Sequence, residues 1–190
     1  MRWSARLKSG DGTRRGFTLM ESMATVAVLA IMGSITSFLI LDAVDGYTDA
    51  STSAQLHAEL SIALDRAMRE MRMIELDTFA DGLAPNIDDV TTTTIIWTDS
   101  DVDSYLLQLS DSDLVLQIDS GPAAILLANV TAFSVTTYDE DNSQLAASIT
   151  GDSCDAIRRV GLEVTVERGG VSESLRTRTF IRSTMSLGDT

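Results

Sequence analysis

The sequence of 190 residues predicts an α+β protein, in which one long N-terminal helix packs on a mainly antiparallel β-sheet head. Three observations lead to this prediction. Residues 17–41 form an apolar run, residues 42–77 continue with the periodicity of an amphipathic helix, and from about Thr92 the hydrophobic period changes to two. We therefore divide the chain into residues 1–16, 17–41, 42–77 and 78–190, the last being the head.

The charge of the chain is acidic and unevenly distributed. The formal net charge is −14, and residues 1–16 hold a local +4, so the remaining residues carry −18. Such a surface repels a phosphate backbone, which argues against general nucleic-acid binding. The single Cys154 and the single His57 exclude a disulfide within the chain, a Cys-rich zinc site and any mechanism that needs two imidazoles.

The apolar run reads FTLMESMATVAVLAIMGSITSFLIL, and Glu21 is its only charged residue. The twenty residues Ser22–Leu41 form an uncharged helix of about 30 Å, the thickness of a hydrocarbon core. Arg14 and Arg15 precede the run, and Asp42 follows it. The positive-inside rule therefore predicts a single-pass membrane protein with its N-terminus in the cytoplasm.

Two ordinary explanations of the run are a secretory signal peptide and a plain signal anchor. A signal peptide has an apolar stretch of about 7–15 residues before its cleavage site, so a plain anchor fits the length better. Neither explains Glu21, because an unpaired charge that enters a bilayer costs a few kcal/mol or more.

The segment Arg14-Arg15-Gly16-Phe17-Thr18-Leu19-Met20-Glu21-Ser22 resembles the type IV prepilin processing motif, which is shared by pilins and type II secretion pseudopilins. The resemblance implies that residues 1–16 are a leader, cut between Gly16 and Phe17. Phe17 then becomes the N-methylated first residue. Glu21 matches the family glutamate that neutralises the N-terminal amine of a neighbouring subunit, and Thr18 and Leu19 belong to the same assembly motif.

The resemblance also implies partners and a location. The partners are a prepilin peptidase that is also the methyltransferase, other pilin or pseudopilin subunits, and indirectly an assembly platform protein and an ATPase. The location is the bacterial inner membrane, followed after assembly by a periplasmic pseudopilus for protein transport or a cell-surface pilus.

Beyond the apolar run the helix is predicted to continue with one face toward the head. Apolar residues recur at steps of three and four, which places them in one stripe. The stripe consists of Leu56, Leu60, Ala63, Ala67, Met71 and Ile74. We expect the helix to end near Leu76, and the methionines at 68, 71 and 73 to fill the core.

The C-terminal half is predicted to consist of strands that pair as hairpins. The predicted strands are Thr92–Thr98, Ser104–Ser110, Asp113–Asp119, Ala123–Ala128, Val130–Tyr138, Arg158–Glu167 and Ser172–Arg182. A turn at Asp111-Ser112 places Leu109 opposite Leu114, Leu107 opposite Leu116 and Tyr105 opposite Ile118. A turn at Gly169-Gly170 places Val164 opposite Leu175 and Glu163 opposite Arg176.

A long helix packed on such a sheet resembles the pilin "lollipop". The C-terminal pattern, which includes Leu127-Ala128-Asn129-Val130, Phe133, Tyr138-Asp139 and a final Arg-rich strand, is similar to the larger minor pseudopilins of the J type and to related minor pilins.

Two acidic loops are candidate calcium sites. Asp99, Asp101 and Asp103 alternate as carboxylates do in calcium loops, but Ser104 and Ser110 stand where an EF-hand needs Gly and Glu. The run Asp139-Glu140-Asp141-Asn142 equally fits a polar hairpin turn. We expect solvated turns and no cofactor, with calcium as the alternative. Cys154 lies in a loop, where it is either a free thiol or an intermolecular link.

These features predict a structural subunit rather than an enzyme, because the sequence shows no catalytic Ser/His/Asp, Cys/His or phosphate-loop pattern. The subunit belongs to a type IV pilus-like filament or a type II secretion pseudopilus, and the size and acidity of the head favour a minor subunit. The alternative is a competence-type pilin that binds DNA at a filament tip through Arg176, Arg178 and Arg182, predicted to share one strand face.

Overall fold

The computed structural model describes residues 18–78, 80 and 82–185 and confirms the predicted α+β fold. The elements are α1 (Leu19–Met71), β1 (Ile87–Val90), β2 (Thr94–Thr98), β3 (Ser104–Ser110), β4 (Asp113–Ile118), β5 (Ala124–Leu127), β6 (Val130–Tyr138), β7 (Ile149–Thr150), β8 (Arg159–Arg168) and β9 (Val171–Phe180). Short 3₁₀ segments lie at Gly151–Ala156 and Arg182–Thr184. The described chain divides into two compact units, with the boundary between Tyr47 and Thr48.

In the first unit, α1 is apolar around its whole circumference. Every residue from Thr18 to Tyr47 is exposed, including large side chains such as Leu19 (80% exposed) and Phe38 (70% exposed). The most apolar 18-residue window of α1 has a mean hydropathy of 2.2. Among the described residues, α1 is the helix that is long and apolar enough to cross a membrane.

In the second unit, the remainder of α1 buries the predicted stripe against the sheets. Leu56, Leu60 and Met71 are at most 1% exposed, and Leu64 and Met68 are also buried. The stripe is therefore confirmed as the helical part of the core. Of the three methionines predicted to fill the core, Met68 and Met71 are buried, whereas Met73 is 49% exposed and does not fill it.

The helix ends at Met71, five residues before the predicted end. Ile74 is buried as the stripe predicts, but it forms a β-bridge with Asp99 instead of continuing the helix. The amide of Glu75 donates to the carbonyl oxygen of Thr98 at 3.1 Å. The chain thus leaves the helix because its backbone pairs with the end of β2.

The nine strands of the described chain form two antiparallel sheets. One sheet has the order β5-β4-β3-β2-β1-β7, and the other has the order β6-β8-β9. The two predicted hairpins are confirmed in register: Leu107 pairs with Leu116, and Glu163 pairs with Arg176. The strands β1 and β7 were not predicted. The last strand ends at Phe180, two residues earlier than predicted.

One hydrophobic core joins α1 to both sheets within the second unit. Every buried hydrophobic residue of the described chain lies between Leu56 and Ile181. At its centre, the ring of Trp97 stacks on that of Tyr105 with centroids 5.4 Å apart. The same burial, with the carboxylate of Asp99 as a second cause, raises the pKa of Tyr105 to about 12.

Candidate assembly site

The first turn of α1 is closed by Thr18. Its carbonyl oxygen accepts hydrogen bonds from the amides of Glu21 and Ser22 at 3.0 and 3.1 Å, and its Oγ1 lies 3.3 Å from the Glu21 nitrogen. Thr18 is therefore the N-cap of the helix. Sequence reasoning assigned Thr18 and Leu19 to an assembly motif and missed the cap, although the Thr-x-x-Glu spacing is that of a capping box. Gly16 and Phe17, the predicted cleavage and methylation positions, lie outside the described residues.

Glu21 lies in the first turn of α1, where an anion interacts favourably with the helix dipole. Within the part of the chain that the structure describes, its carboxylate has no hydrogen-bond or ion-pair partner, and the side chain is exposed. The next charged residue of α1 is Asp42. Glu21 is therefore an isolated carboxylate at the start of a long apolar surface.

The hydroxyl groups of the apolar segment are satisfied inside the helix. Each donates to the carbonyl oxygen four residues earlier, over distances of 2.7–3.3 Å. The donors are Ser22, Thr25, Ser34, Thr36 and Ser37. Such bonds let hydroxyls enter an apolar environment without an external partner. A carboxylate can only accept hydrogen bonds, and among the described residues no donor meets that of Glu21.

The first turns of α1 also offer a surface on which a second helix can pack. Small side chains at Ser22, Ala27 and Ala30 lie between larger ones at Leu19, Met23 and Val26, and this face forms a shallow, open apolar groove. Small residues allow helix backbones to approach closely in lipid, where van der Waals packing drives helix association. Glu21 lies in the first of these turns but does not line the groove.

The arginines proposed for DNA binding lie on the second unit. Arg176 and Arg178 are exposed on β9, whereas Arg182 lies in the 3₁₀ segment after the strand, so the three do not share one strand face. Although Arg176 pairs in register with Glu163, it donates to the hydroxyl oxygen of Tyr138 at 2.9 Å.

The first acidic loop is organised by Asp99. This residue is only 6% exposed, and its Oδ1 accepts hydrogen bonds from the amides of Asp101 and Asp103 at 2.9 and 3.1 Å. Partial desolvation, followed by repulsion from neighbouring carboxylates, raises the pKa of Asp103 above its usual value. No group of three or more acidic, His or Cys side chains in the described residues is arranged to hold a metal ion.

The second acidic loop forms the predicted turn. Asn142 adopts a left-handed conformation with φ of 63°, and its amide donates to the carbonyl oxygen of Asp139 at 3.2 Å. The Oδ1 of Asp139 accepts the amide of Ser143 at 2.8 Å.

No protein-family model matches the chain, and no curated protein is significantly similar to it in sequence. A long apolar N-terminal helix followed by antiparallel sheets is an arrangement compatible with a pilin-like fold.

Proposed function

We propose that this chain is a structural subunit, of the minor type, of a type IV pilus-like filament or a type II secretion pseudopilus. The observation that supports it best is Glu21, one isolated carboxylate in the first turn of a helix that is otherwise apolar and exposed on every side from Thr18 to Leu41. A membrane anchor alone has no use for this charge, because ionised groups in a bilayer are costly.

In this proposal, a prepilin peptidase cuts between Gly16 and Phe17 and methylates the new amine of Phe17. The subunit waits in the inner membrane with its head outside the cytoplasm. During assembly the apolar helix moves from lipid to the filament core, and its groove at Leu19–Ala30 packs against a neighbouring helix. A platform protein and an ATPase supply the work of extraction.

In this proposal, Glu21 supplies a difference in free energy that favours the filament over the membrane. Because lipid tails are as apolar as leucine side chains, the move from lipid to filament gains little from the hydrophobic effect. An ion pair between the Glu21 carboxylate and the amine of a neighbouring Phe17 exists only in the assembled state. In a low-dielectric environment such a pair is strongly favoured over an unpaired carboxylate.

The proposal is tested by Glu21→Gln, which removes the charge and keeps the shape. We expect the variant to insert into the membrane and to lose its leader, but to be absent from filaments sheared from the cells. The matched control is Thr25→Val, because the Thr25 hydroxyl is already bonded to the Glu21 carbonyl oxygen at 2.7 Å within the helix. This control is expected to assemble normally.

The processing step is tested separately by Gly16→Ala. Mass spectrometry is expected to show residues 17–190 with a methylated N-terminus for the natural chain and the uncut chain for the variant. Incorporation of the uncut variant into filaments, or of Glu21→Gln at the natural level, would contradict the proposal.

The alternative function, DNA binding at a filament tip, is favoured by one observation. Arg72, Arg178 and Arg182 line one open surface depression. The excess of acidic over basic residues opposes it. Gel-shift titration at several salt concentrations distinguishes the two functions, and a steep salt dependence of DNA binding would favour the alternative.

A further inference from the structure

We infer that the open edge of β9 binds an extended, acidic segment of a partner polypeptide by strand addition. In the sheet order β6-β8-β9, the ten-residue strand β9 pairs, among the described strands, with β8 alone. An unpaired edge presents a row of amides and carbonyl groups that another strand can satisfy. The inference does not depend on filament assembly.

The register determines which backbone groups lie at this edge. Gly169 and Gly170, with φ of 62° and 85°, form a two-residue turn closed by the pair Arg168 and Val171, and the pairing continues to Phe180 without a shift. The amide of Glu167 donates to Asn129 on the side of β6, so the even residues of β8 bond to β9. The backbone groups directed outward are those of Ser172, Ser174, Arg176, Arg178 and Phe180.

These five residues are all exposed. Among the described residues, the amides of Ser174, Arg176 and Arg178 have no backbone acceptor outside the strand pairing.

Among the described residues, neither Arg176 nor Arg178 forms an ion pair. Arg178 places its guanidinium 3.9 Å from the centroid of the Tyr138 ring and donates to Asn142 Oδ1 at 3.1 Å, and Arg176 donates to the Tyr138 hydroxyl. These partners are neutral, so both guanidinium groups keep their charge and spare donors. Glu163, opposite Arg176, forms no ion pair within 4.0 Å among the described residues.

Arg168, on β8 of the same sheet, forms an ion pair with the carboxylate of Glu59. Its two terminal nitrogens donate to both carboxylate oxygens of Glu59, at 3.1 and 2.8 Å. This hydrogen bonding, with a second contribution from Gln55, holds the pKa of Glu59 below its usual value. Arg176 and Arg178 have the same chemistry available, but no described carboxylate lies within 4.0 Å of either guanidinium.

The two arginines are held in place rather than left mobile in solvent. The Tyr138 ring lies across Gly161 of β8, where a Cβ would come within 3.6 Å of Cε2. The guanidinium of Arg178 lies over the face of this ring in a cation–π contact. Asn142 accepts hydrogen bonds from both Arg159 and Arg178. Preorganised side chains lose less conformational entropy when a ligand binds.

These features indicate which kind of segment the open edge of β9 can bind. Side chains at alternate positions of an added strand point to the same face as Arg176 and Arg178, so the edge fits a segment with acidic residues at every second position. A second copy of β9 would place arginine near arginine, which is unfavourable. A long polyanion is disfavoured because it would extend beyond Arg176 and Arg178 over a chain that carries far more acidic than basic residues.

The experiment measures binding of a fluorescent peptide to the full chain in detergent micelles by anisotropy. The probe is an octapeptide of alternating Thr and Asp, and the control peptide alternates Thr and Asn. We expect binding of the acidic peptide that weakens as salt increases. The double variant Arg176→Gln/Arg178→Gln is expected to lower the affinity by about tenfold or more.

The matched control is Arg66→Gln/Arg69→Gln, which removes the same charge from exposed positions of α1 and is expected to leave the affinity unchanged. Backbone pairing is tested with two acidic peptides that are N-methylated at opposite sets of alternate amides. One set faces β9 and is expected to abolish binding, whereas the other is expected to bind like the parent peptide.

Four results would overturn the inference. These are no binding of the acidic peptide, equal binding of the Asn peptide, unchanged binding by Arg176→Gln/Arg178→Gln, and equal binding of the two methylated peptides. Stronger binding of a single-stranded oligonucleotide than of the peptide would assign the edge to nucleic acid instead.

Discussion

Cys154, at the residue scale, is the only thiol of the chain, and it is fully buried in the 3₁₀ segment Gly151–Ala156. Burial first, and then the nearby carboxylates of Asp89, Asp155 and Asp88, raise the pKa of this thiol to about 11. Because the thiolate is the reactive species, the folded protein holds Cys154 in its unreactive form at neutral pH. Of the two alternatives that the sequence left open, this favours a free thiol over an intermolecular link.

We predict that Ellman's reagent reacts with Cys154 at pH 8 at least about 100-fold more slowly in the folded protein than in urea. The sign follows from the raised pKa: the rate for the folded protein should increase as the pH rises toward 11, and the unfolded chain should reach its plateau earlier. The variant Cys154→Ser is the blank. Rapid stoichiometric labelling of the folded protein at pH 8 would contradict the prediction.

Residues whose chemistry is local were predictable, and those whose partners are distant were not. Glu21 can be identified from the sequence alone, because it is a single charged residue within an apolar run. Arg176 was expected to pair with Glu163, since register alone sets them opposite each other. Its hydrogen bond goes instead to Tyr138, 38 residues away. Periodicity gives the face and the register of a side chain, but not which of several neighbours lies within bonding distance.

At the scale of elements, the stripe on α1 is the link between the helix and the sheets. Leu60 is fully buried in it, whereas Ile62, two residues later on the opposite side, is 71% exposed. We predict that Leu60→Ala lowers the free energy of unfolding by about 2–5 kcal/mol through lost burial and a residual cavity. Ile62→Ala removes the same kind of side chain from the surface and should change it by no more than about 0.5 kcal/mol.

The measurement is urea denaturation of the full chain in detergent micelles, followed by the fluorescence of the buried Trp97. Trp3 is replaced by Phe so that Trp97 is the only reporter. Equal effects of the two substitutions would show that the stripe does not contribute to the core in solution.

The elements that the sequence missed are short or polar. The strand β1 has two aspartates in four residues, and β7 has two residues, so neither shows a run of alternating hydrophobic residues. Both exist because neighbouring strands satisfy their backbones. The helix end was also misplaced, because Ile74 continues the spacing of the stripe while its backbone pairs with Asp99. The two long hairpins were predictable because turn residues and alternation agree there.

At the scale of the whole molecule, the two units differ in whether their apolar side chains are exposed or buried. Residues 18–47 contribute no buried side chain, whereas the core lies wholly between Leu56 and Ile181. The segment from residue 48 onward holds 9 basic and 24 acidic residues, a net charge of −15. A high net charge keeps a folded domain soluble. Most of the large exposed hydrophobic side chains of the described residues therefore lie in the first unit.

We predict that a fragment of residues 48–190 stays monomeric in buffer without detergent and keeps the Trp97 fluorescence and the near-ultraviolet circular dichroism of the full chain. The full chain should need detergent, because side chains such as Leu19, Met20 and Phe38 remain 70–80% exposed. Size-exclusion chromatography and circular dichroism check both statements. The same fragment carrying Leu60→Ala should unfold at a lower urea concentration, which shows that the stripe is packed in the isolated head. Aggregation of the fragment, or loss of its near-ultraviolet signal, would mean that residues 18–47 are needed to complete the core and that the anchor and the head are not separable.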